Sequence, residues 1–361
     1  MIPKKQIVDL PVYQPGKPIE EVQKEFGLDH IVKLASNENP FGCSPKVKEA
    51  IIPVLDRLAI YPDGAAMDLR EGIAPFLGVK EDELIFGNGS DELLMLTSRA
   101  YLEPGTNAVM ATQTFSVYKT VSTVEGAEVI EVPLKDGTHD LQGMLAAINE
   151  NTRVVWVCNP NNPSGTIVHE QELIHFLKQV PSTALVVLDE AYYEYVTDSN
   201  YPQSINLFRE YPNLLILRTF SKIYGLAGLR IGYGIASPDL VDKINRVREP
   251  FNTSSLAQVG ALAAIADQEF VTYCREANAK GLQQMYIGFD ELGLTYYKSQ
   301  GNFVLVETGR DGNEVFQALL RKGYIIRSGV PLGFPTAIRV TVGSEQQNEG
   351  FLQALREVLT A

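Results

Sequence analysis

The sequence predicts an α/β protein in which a mostly parallel sheet is covered by helices, followed by a smaller α+β unit. Three observations lead there. Between about residues 84 and 218, short apolar runs without polar alternation recur, each followed by a helical stretch, which is the pattern of strands buried on both faces. Just past three consecutive runs stand an amide, a carboxylate and an amine, at the strand ends where such sheets bind ligands. Beyond about Glu249 the composition shifts to long helical segments interspersed with short strands.

Residues 1–40, rich in Pro and Gly, read as an extended arm with one short helix near 18–25, packed on something else such as a second subunit. A polar loop bounded by Pro and Gly follows, Asn37-Glu38-Asn39-Pro40-Phe41-Gly42. Ser44-Pro45 opens a helix to about residue 56, with Ser as cap and Pro in the first turn. Tyr61-Pro62-Asp63-Gly64 has turn composition. At 84–92 a strand, a glycine turn and Ser90-Asp91-Glu92 at a helix start form an anion site, in which backbone N–H groups face the ligand and the two carboxylates turn away. Strands are then expected at 108–110, 128–132, 154–158, 184–189 and 214–218, joined by helices after Phe115 and from Asp140 and Glu170. The last part reads as helices 256–267, 269–292, 313–322 and 344–359 with strands near 294–297, 303–306, 325–327 and 338–341. The expected organisation is an arm over 1–40, a large unit over 41–250 and a small one over 251–361.

Composition narrows the function. A net charge of -13 argues against nucleic acid as a partner, because no excess of Lys and Arg is available to neutralise phosphates. Cys43, Cys158 and Cys274 have neither disulfide nor zinc spacing, which fits a reducing cytoplasm. His30, His139, His169 and His175 match no metal motif and read as surface or cap residues, so no metal site is expected. The N-terminus lacks the apolar segment of a signal peptide, and no apolar run approaches the ~20 residues of a membrane span.

The chemistry centres on Thr219 to Arg230, TFSKIYGLAGLR, which follows the run 213–218. Lysine beside a fixed cation is pushed toward its neutral, nucleophilic form, and neutral lysine amines react with aldehydes. The hydroxyls of Thr219 and Ser221 and the guanidinium of Arg230 suit a phosphate. Upstream, Asn159-Pro160-Asn161-Asn162-Pro163-Ser164-Gly165 follows one strand and Asp189-Glu190-Ala191-Tyr192 the next.

Ser-Lys with an Arg eight residues beyond the Lys resembles the cofactor segment of fold-type-I aminotransferases, which use pyridoxal 5'-phosphate. The likeness runs from Asn37 to Arg339 with spacings intact, and the N-E-N-P-x-G loop, N-P-N-N-P-S-G, D-E-A-Y and S-K-x-x-G-L-A-G-L-R together are most similar to the histidinol-phosphate subfamily. The resemblance implies Lys222 as the amine on the cofactor aldehyde, Asp189 against the pyridine nitrogen, and Asn162 and Tyr192 on the phenolic oxygen. It implies Arg230, Thr219, Ser221 and the helix start at Ser90, Asp91 and Glu92 around the phosphate, and Phe115 over the ring. It also implies Tyr61 reaching the phosphate of a neighbouring subunit, hence a homodimer, and Asn37, Tyr13, Arg327 and Arg339 as substrate contacts. The implied substrates are a phosphorylated imidazole amine and glutamate or 2-oxoglutarate. Phe115 and Ser164 depart from the Tyr and Thr of many members; Phe115 cannot donate a hydrogen bond.

Rival readings fare worse. The apolar run ending in Asp189-Glu190 resembles a Walker-B strand, but no G-x-x-x-x-G-K-[ST] loop accompanies it, and no G-x-G-x-x-G supports a nicotinamide fold. The effector domain of a pyridoxal-phosphate-dependent transcription regulator would need an added DNA-binding segment, and no room exists for it before Asn37. An aromatic-amino-acid aminotransferase or a threonine-phosphate decarboxylase on the same scaffold would share every cofactor residue.

Overall fold

The apolar runs become strands in a computed structural model that describes residues 1–12 and 16–360. In chain order the strands are β1 (Val32–Lys33), β2 (Leu84–Gly87), β3 (Asn107–Ala111), β4 (Glu128–Val132), β5 (Thr152–Cys158), β6 (Leu185–Asp189), β7 (Leu214–Thr219), β8 (Gly232–Ile235), β9 (Thr295–Tyr296), β10 (Phe303–Glu307), β11 (Tyr324–Ile325), β12 (Arg327–Ser328) and β13 (Ala337–Thr341). Seven of them form one sheet in the order β2-β8-β7-β6-β5-β3-β4. Strands β7, β6, β5, β3 and β4 run parallel, and β8 lies antiparallel between β7 and β2.

Both faces of this sheet are buried because successive side chains point to opposite sides. Val155, Val157, Val186, Leu188, Leu214 and Ile216 enter one core, and Val154, Trp156, Leu185, Val187, Leu215 and Leu217 the other. Each such side chain contributes about 1.5–3 kcal/mol on burial, so these strands are fixed in register by both faces at once.

A second sheet, β12-β13-β10-β9, is antiparallel throughout and packs on the third core. Helix Gln268–Glu291 joins the assemblies: Val271 and Cys274 lie in the first core, whereas Leu282, Met285, Tyr286 and Phe289 lie in the third.

Three helices, Met67–Leu77, Ser204–Glu210 and Pro238–Asn245, and strand β8 were absent from the sequence reading. The sequence Gly232-Tyr233-Gly234-Ile235 is a weak strand by propensity. Its first glycine has a packing reason, since a Cβ there would stand 2.5 Å from the Ser90 amide nitrogen. The single strand expected at 325–327 is two: β11 pairs with β1 of the arm and β12 with β13. The arm's beginning packs on its own chain, with Lys4 Nζ and Gln6 Nε2 donating to Val124 O at 3.4 and 3.2 Å. Among the described residues no helix is long and apolar enough to cross a membrane.

Candidate active site

Parallel register carries three strand ends to one edge. Cys158 at the end of β5 pairs with Asp189 at the end of β6, Asp189 pairs with Leu217 of β7, and Thr219 pairs with Gly232. The loops leaving β5, β6 and β7 therefore open into one cavity of about 630 Å³. Asn37, Ser90, Asp91, Phe115, Asn162, Asp189, Tyr192, Thr219, Ser221, Lys222, Arg230, Arg327 and Arg339 all line it.

At one end stand the anion donors. Helix Ser90–Tyr101 begins at the wall, preceded by Gly89 at φ 76, whose missing Cβ leaves room for the Arg230 guanidinium 2.6 Å from where that Cβ would be. Arg230, itself left-handed at φ 55, donates from Nη1 to Ser221 Oγ at 3.2 Å, and its Nη2 lies 3.5 Å from Asp91 Oδ2. Thr219 Oγ1 accepts from the Ser221 amide at 3.1 Å. Glu92 does not line the cavity: its Oε2 accepts from the Asn88 amide and from Asn252 Nδ2, each at 2.6 Å, and closes the loop from behind.

In the middle, Asp189 is 3% exposed. Oδ2 accepts from the Tyr118 hydroxyl at 2.7 Å and Oδ1 from the Ala191 amide at 3.2 Å. Burial pushes its carboxyl up to about 6, opposed by the Tyr118 hydrogen bond. Lys222 Nζ donates to Ser36 O at 3.2 Å and lies 5.6 Å from the Tyr192 ring centroid. Burial first, and Arg339 second, bring the Lys222 amine down to about 8. The sequence argument credited a neighbouring cation, and Arg230 is a lesser influence than either. Tyr192 receives a hydrogen bond from Asn37 Nδ2 at 2.9 Å.

Arg327 and Arg339, register partners on β12 and β13, line the same cavity. Arg339 Nη1 donates to Asn162 Oδ1 at 2.5 Å and Nη2 to Ala35 O at 2.7 Å.

Besides Glu92, Tyr61 stands apart from the cavity. It is 79% exposed and stacked on Phe251 with centroids 4.7 Å apart, and Tyr13 lies outside the described residues. The reading of the histidines needs one correction. His169 does cap helix Glu170–Leu177, but His139 is 6% exposed, and burial brings it down to about 4. Sequence reasoning also missed Tyr118 and the arm residues Leu10, Pro11 and Val12 on the cavity wall.

Pyridoxal phosphate fits this donor set. Hydroxyls, a guanidinium and a helix start suit its phosphate, and the missing Cβ atoms of Gly89 and Gly232 let the Arg230 guanidinium and the Ser90 amide take their places beside them. A dry carboxylate suits its basic ring nitrogen, and a lysine near neutrality suits its aldehyde.

Comparison with known proteins agrees. Residues 29–355 match the family described as aminotransferase class I and II. A histidinol-phosphate aminotransferase of Brevibacillus brevis is 61% identical over 360 residues, covering 100% of this chain and 99% of its own, and one of a Geobacillus species is 60% identical over 356 residues, covering 99% and 98%. The crystal structure of histidinol-phosphate aminotransferase from Sinorhizobium meliloti in complex with pyridoxal-5'-phosphate superposes with a TM-score of 0.91 at 30% identity, covering 99% of this chain and 97% of that one. Taken with a strand-end cavity built for an aldehyde cofactor bearing a phosphate, these matches establish that the chain belongs to the class I and II aminotransferases, pyridoxal-phosphate-dependent transaminases of fold type I.

Proposed function

We propose that this aminotransferase moves the amino group between L-histidinol phosphate and 2-oxoglutarate, giving imidazole-acetol phosphate and L-glutamate, as a step of histidine biosynthesis. The observation that carries the reading is the pair Arg327 and Arg339, register partners on β12 and β13 that line the same cavity as Ser221, Lys222 and Arg230. Guanidinium groups bind carboxylate and phosphate alike through two parallel hydrogen bonds, so one wall can serve both partners of the exchange. The names of relatives that align over the whole chain support the same substrate.

When bound, pyridoxal phosphate supplies an aldehyde for amine exchange and a protonated ring that draws electrons from the substrate carbon. Ser90, Asp91 through its amide, Thr219, Ser221 and Arg230 hold its phosphate end. Asp189 keeps a proton on the ring nitrogen. Asn162, its Oδ1 engaged by Arg339, and Tyr192, held by Asn37, would offer the amide nitrogen and the hydroxyl to the phenolic oxygen. Phe115 covers a ring face. Lys222 would hold the cofactor through its aldehyde, and its Nζ would carry the proton from and to the substrate carbon; an amine held near 8 exchanges protons readily in both directions.

Exposed Ile52, Leu55, Leu58, Ile60, Tyr61 and Phe251 support a homodimer in which Tyr61 completes the partner's phosphate site. We divide the chain into the arm 1–40, a large unit 41–250 around the seven-stranded sheet and a small unit 251–361, and place the enzyme in the cytoplasm, where its three free thiols are stable.

The test compares imidazole-acetol phosphate with phenylpyruvate as acceptors and glutamate as donor. The phosphorylated acceptor is expected to lead by about a hundredfold in kcat/KM, and Arg327→Gln to remove roughly tenfold or more of that lead. Equal efficiencies in the parent enzyme would instead support aromatic transamination, the reading favoured by apolar Leu10, Val12, Phe115 and Leu332 on the same cavity.

A further inference from the structure

A phenol stands behind the carboxylate, out of reach of solvent. Tyr118, on helix Val117–Val124, is 0% exposed and donates to Asp189 Oδ2 at 2.7 Å. Its ring is stacked on Trp156, centroids 5.2 Å apart and planes at 4°, while Phe115 meets it edge-on at 5.6 Å and 85°. Trp156 Nε1 donates to Ser122 Oγ at 3.2 Å, and Ser122 Oγ donates to Tyr118 O at 2.7 Å, so the two aromatic rings are tied to one helix. Burial raises the phenol well above its ordinary range, and Tyr118 is therefore always the donor and Asp189 the acceptor.

We propose that Tyr118 is a positioning residue that fixes the rotamer of Asp189 and, by holding negative charge on Oδ2, keeps the shared proton on the ring nitrogen of the bound cofactor and off the carboxylate. The inference rests on the reading of Asp189 as the partner of that nitrogen. A carboxylate in a dry cavity is a strong base, and the phenol opposes that basicity. Asp91 and Glu190 act on Asp189 in the other sense, raising its proton affinity. The Cys158 thiol, opposite Asp189 in register, is pushed up to about 12, and the Tyr192 phenol is pushed up too, both by burial, so neither offers a competing charge. Without its donor the carboxylate would take the proton, and the ring would lose the charge that makes it an electron sink.

The test uses holoenzyme carrying cofactor labelled with ¹⁵N at the ring nitrogen, whose NMR signal at neutral pH reports where the proton sits. Tyr118→Phe keeps the stacked ring and removes the donor. Its signal is expected to move toward that of a neutral ring nitrogen, corresponding to a tenfold or greater change in proton preference, roughly what one hydrogen bond to a charged group is worth. The kcat should fall about tenfold with KM for the amine changed less than about threefold. Trp156→Phe, which loosens the packing and keeps the phenol, should leave the signal in place. Incorporation of 3-fluorotyrosine at 118, a stronger donor of nearly the same shape, should move the signal the opposite way, and decides the matter if Tyr118→Phe does not fold. A signal unmoved by both changes at 118 but displaced in Asp189→Asn overturns the role of Tyr118 alone. A signal that Asp189→Asn also leaves unmoved overturns the underlying reading of Asp189.

Discussion

Lys222→Ala is expected to lower turnover by at least about 10⁴-fold, because one side chain is assigned both the covalent hold on the cofactor and the proton transfer, and general acid–base catalysis alone is worth roughly 10²–10⁴. The same replacement should remove the visible absorbance of lysine-bound cofactor while leaving the phosphate donors Ser221 and Arg230 in place, so non-covalent cofactor binding persists. Retention of both absorbance and turnover in the purified variant would refute the assignment. The titration of this amine gives a second measurement. Only neutral amine reacts with an aldehyde, and burial with Arg339 brings Lys222 from 10.5 down to about 8. Covalent capture of pyridoxal phosphate by cofactor-free protein should therefore accelerate from pH 7 to about 8 and level off above that. A rate that keeps climbing to pH 10 would mean an ordinary surface-like lysine.

The second large effect is on stability. Arg218 and Glu190 form an ion pair with side chains 3% and 0% exposed, Nη2 to Oε2 at 2.9 Å. Ser204 Oγ and Tyr201 OH donate to the same carboxylate at 2.9 and 3.2 Å, and the guanidinium lies 3.5 Å over the Tyr193 ring. Removing one partner strands the other charge without water. Arg218→Met is expected to destabilise the fold by about 3–5 kcal/mol in denaturant titration, and adding Glu190→Gln should recover much of that loss. If the double variant is no more stable than the single one, desolvation of the orphaned carboxylate is not the cause. Because Arg218 directly precedes Thr219 on β7, the pair also anchors the strand end from which Lys222 departs.

Much of the site was legible because its chemistry is local in sequence. Asn162, Asp189 and Lys222 each follow an apolar run, and parallel pairing of β5, β6 and β7 turns three such positions into neighbours. What stayed hidden needed distance information. The Glu92 carboxylate turns away from the helix start as its charge requires, but its partner there, Asn252, lies 160 residues on and no local pattern names it. His139 reads as a surface or cap histidine, and nothing local announces that it is buried. Tyr118 carries no motif of its own; its importance appears only when the helix is laid against β6. The three missed helices are short or, in Met67–Leu77, carry an internal proline, and β8 is half glycine, so tertiary packing decides them more than propensity does.

The 24-residue helix Gln268–Glu291 has a practical corollary for protein engineering. Chimeras that graft the antiparallel sheet of one homologue onto the parallel sheet of another have no neutral crossover inside it, since its opposite ends are moulded to different apolar environments. A junction ahead of Ser255 would transplant the whole rod, exchanging its fit to Val271's neighbours for an intact fit around Phe289. Recombinants cut between Cys274 and Leu282 should express least well of all.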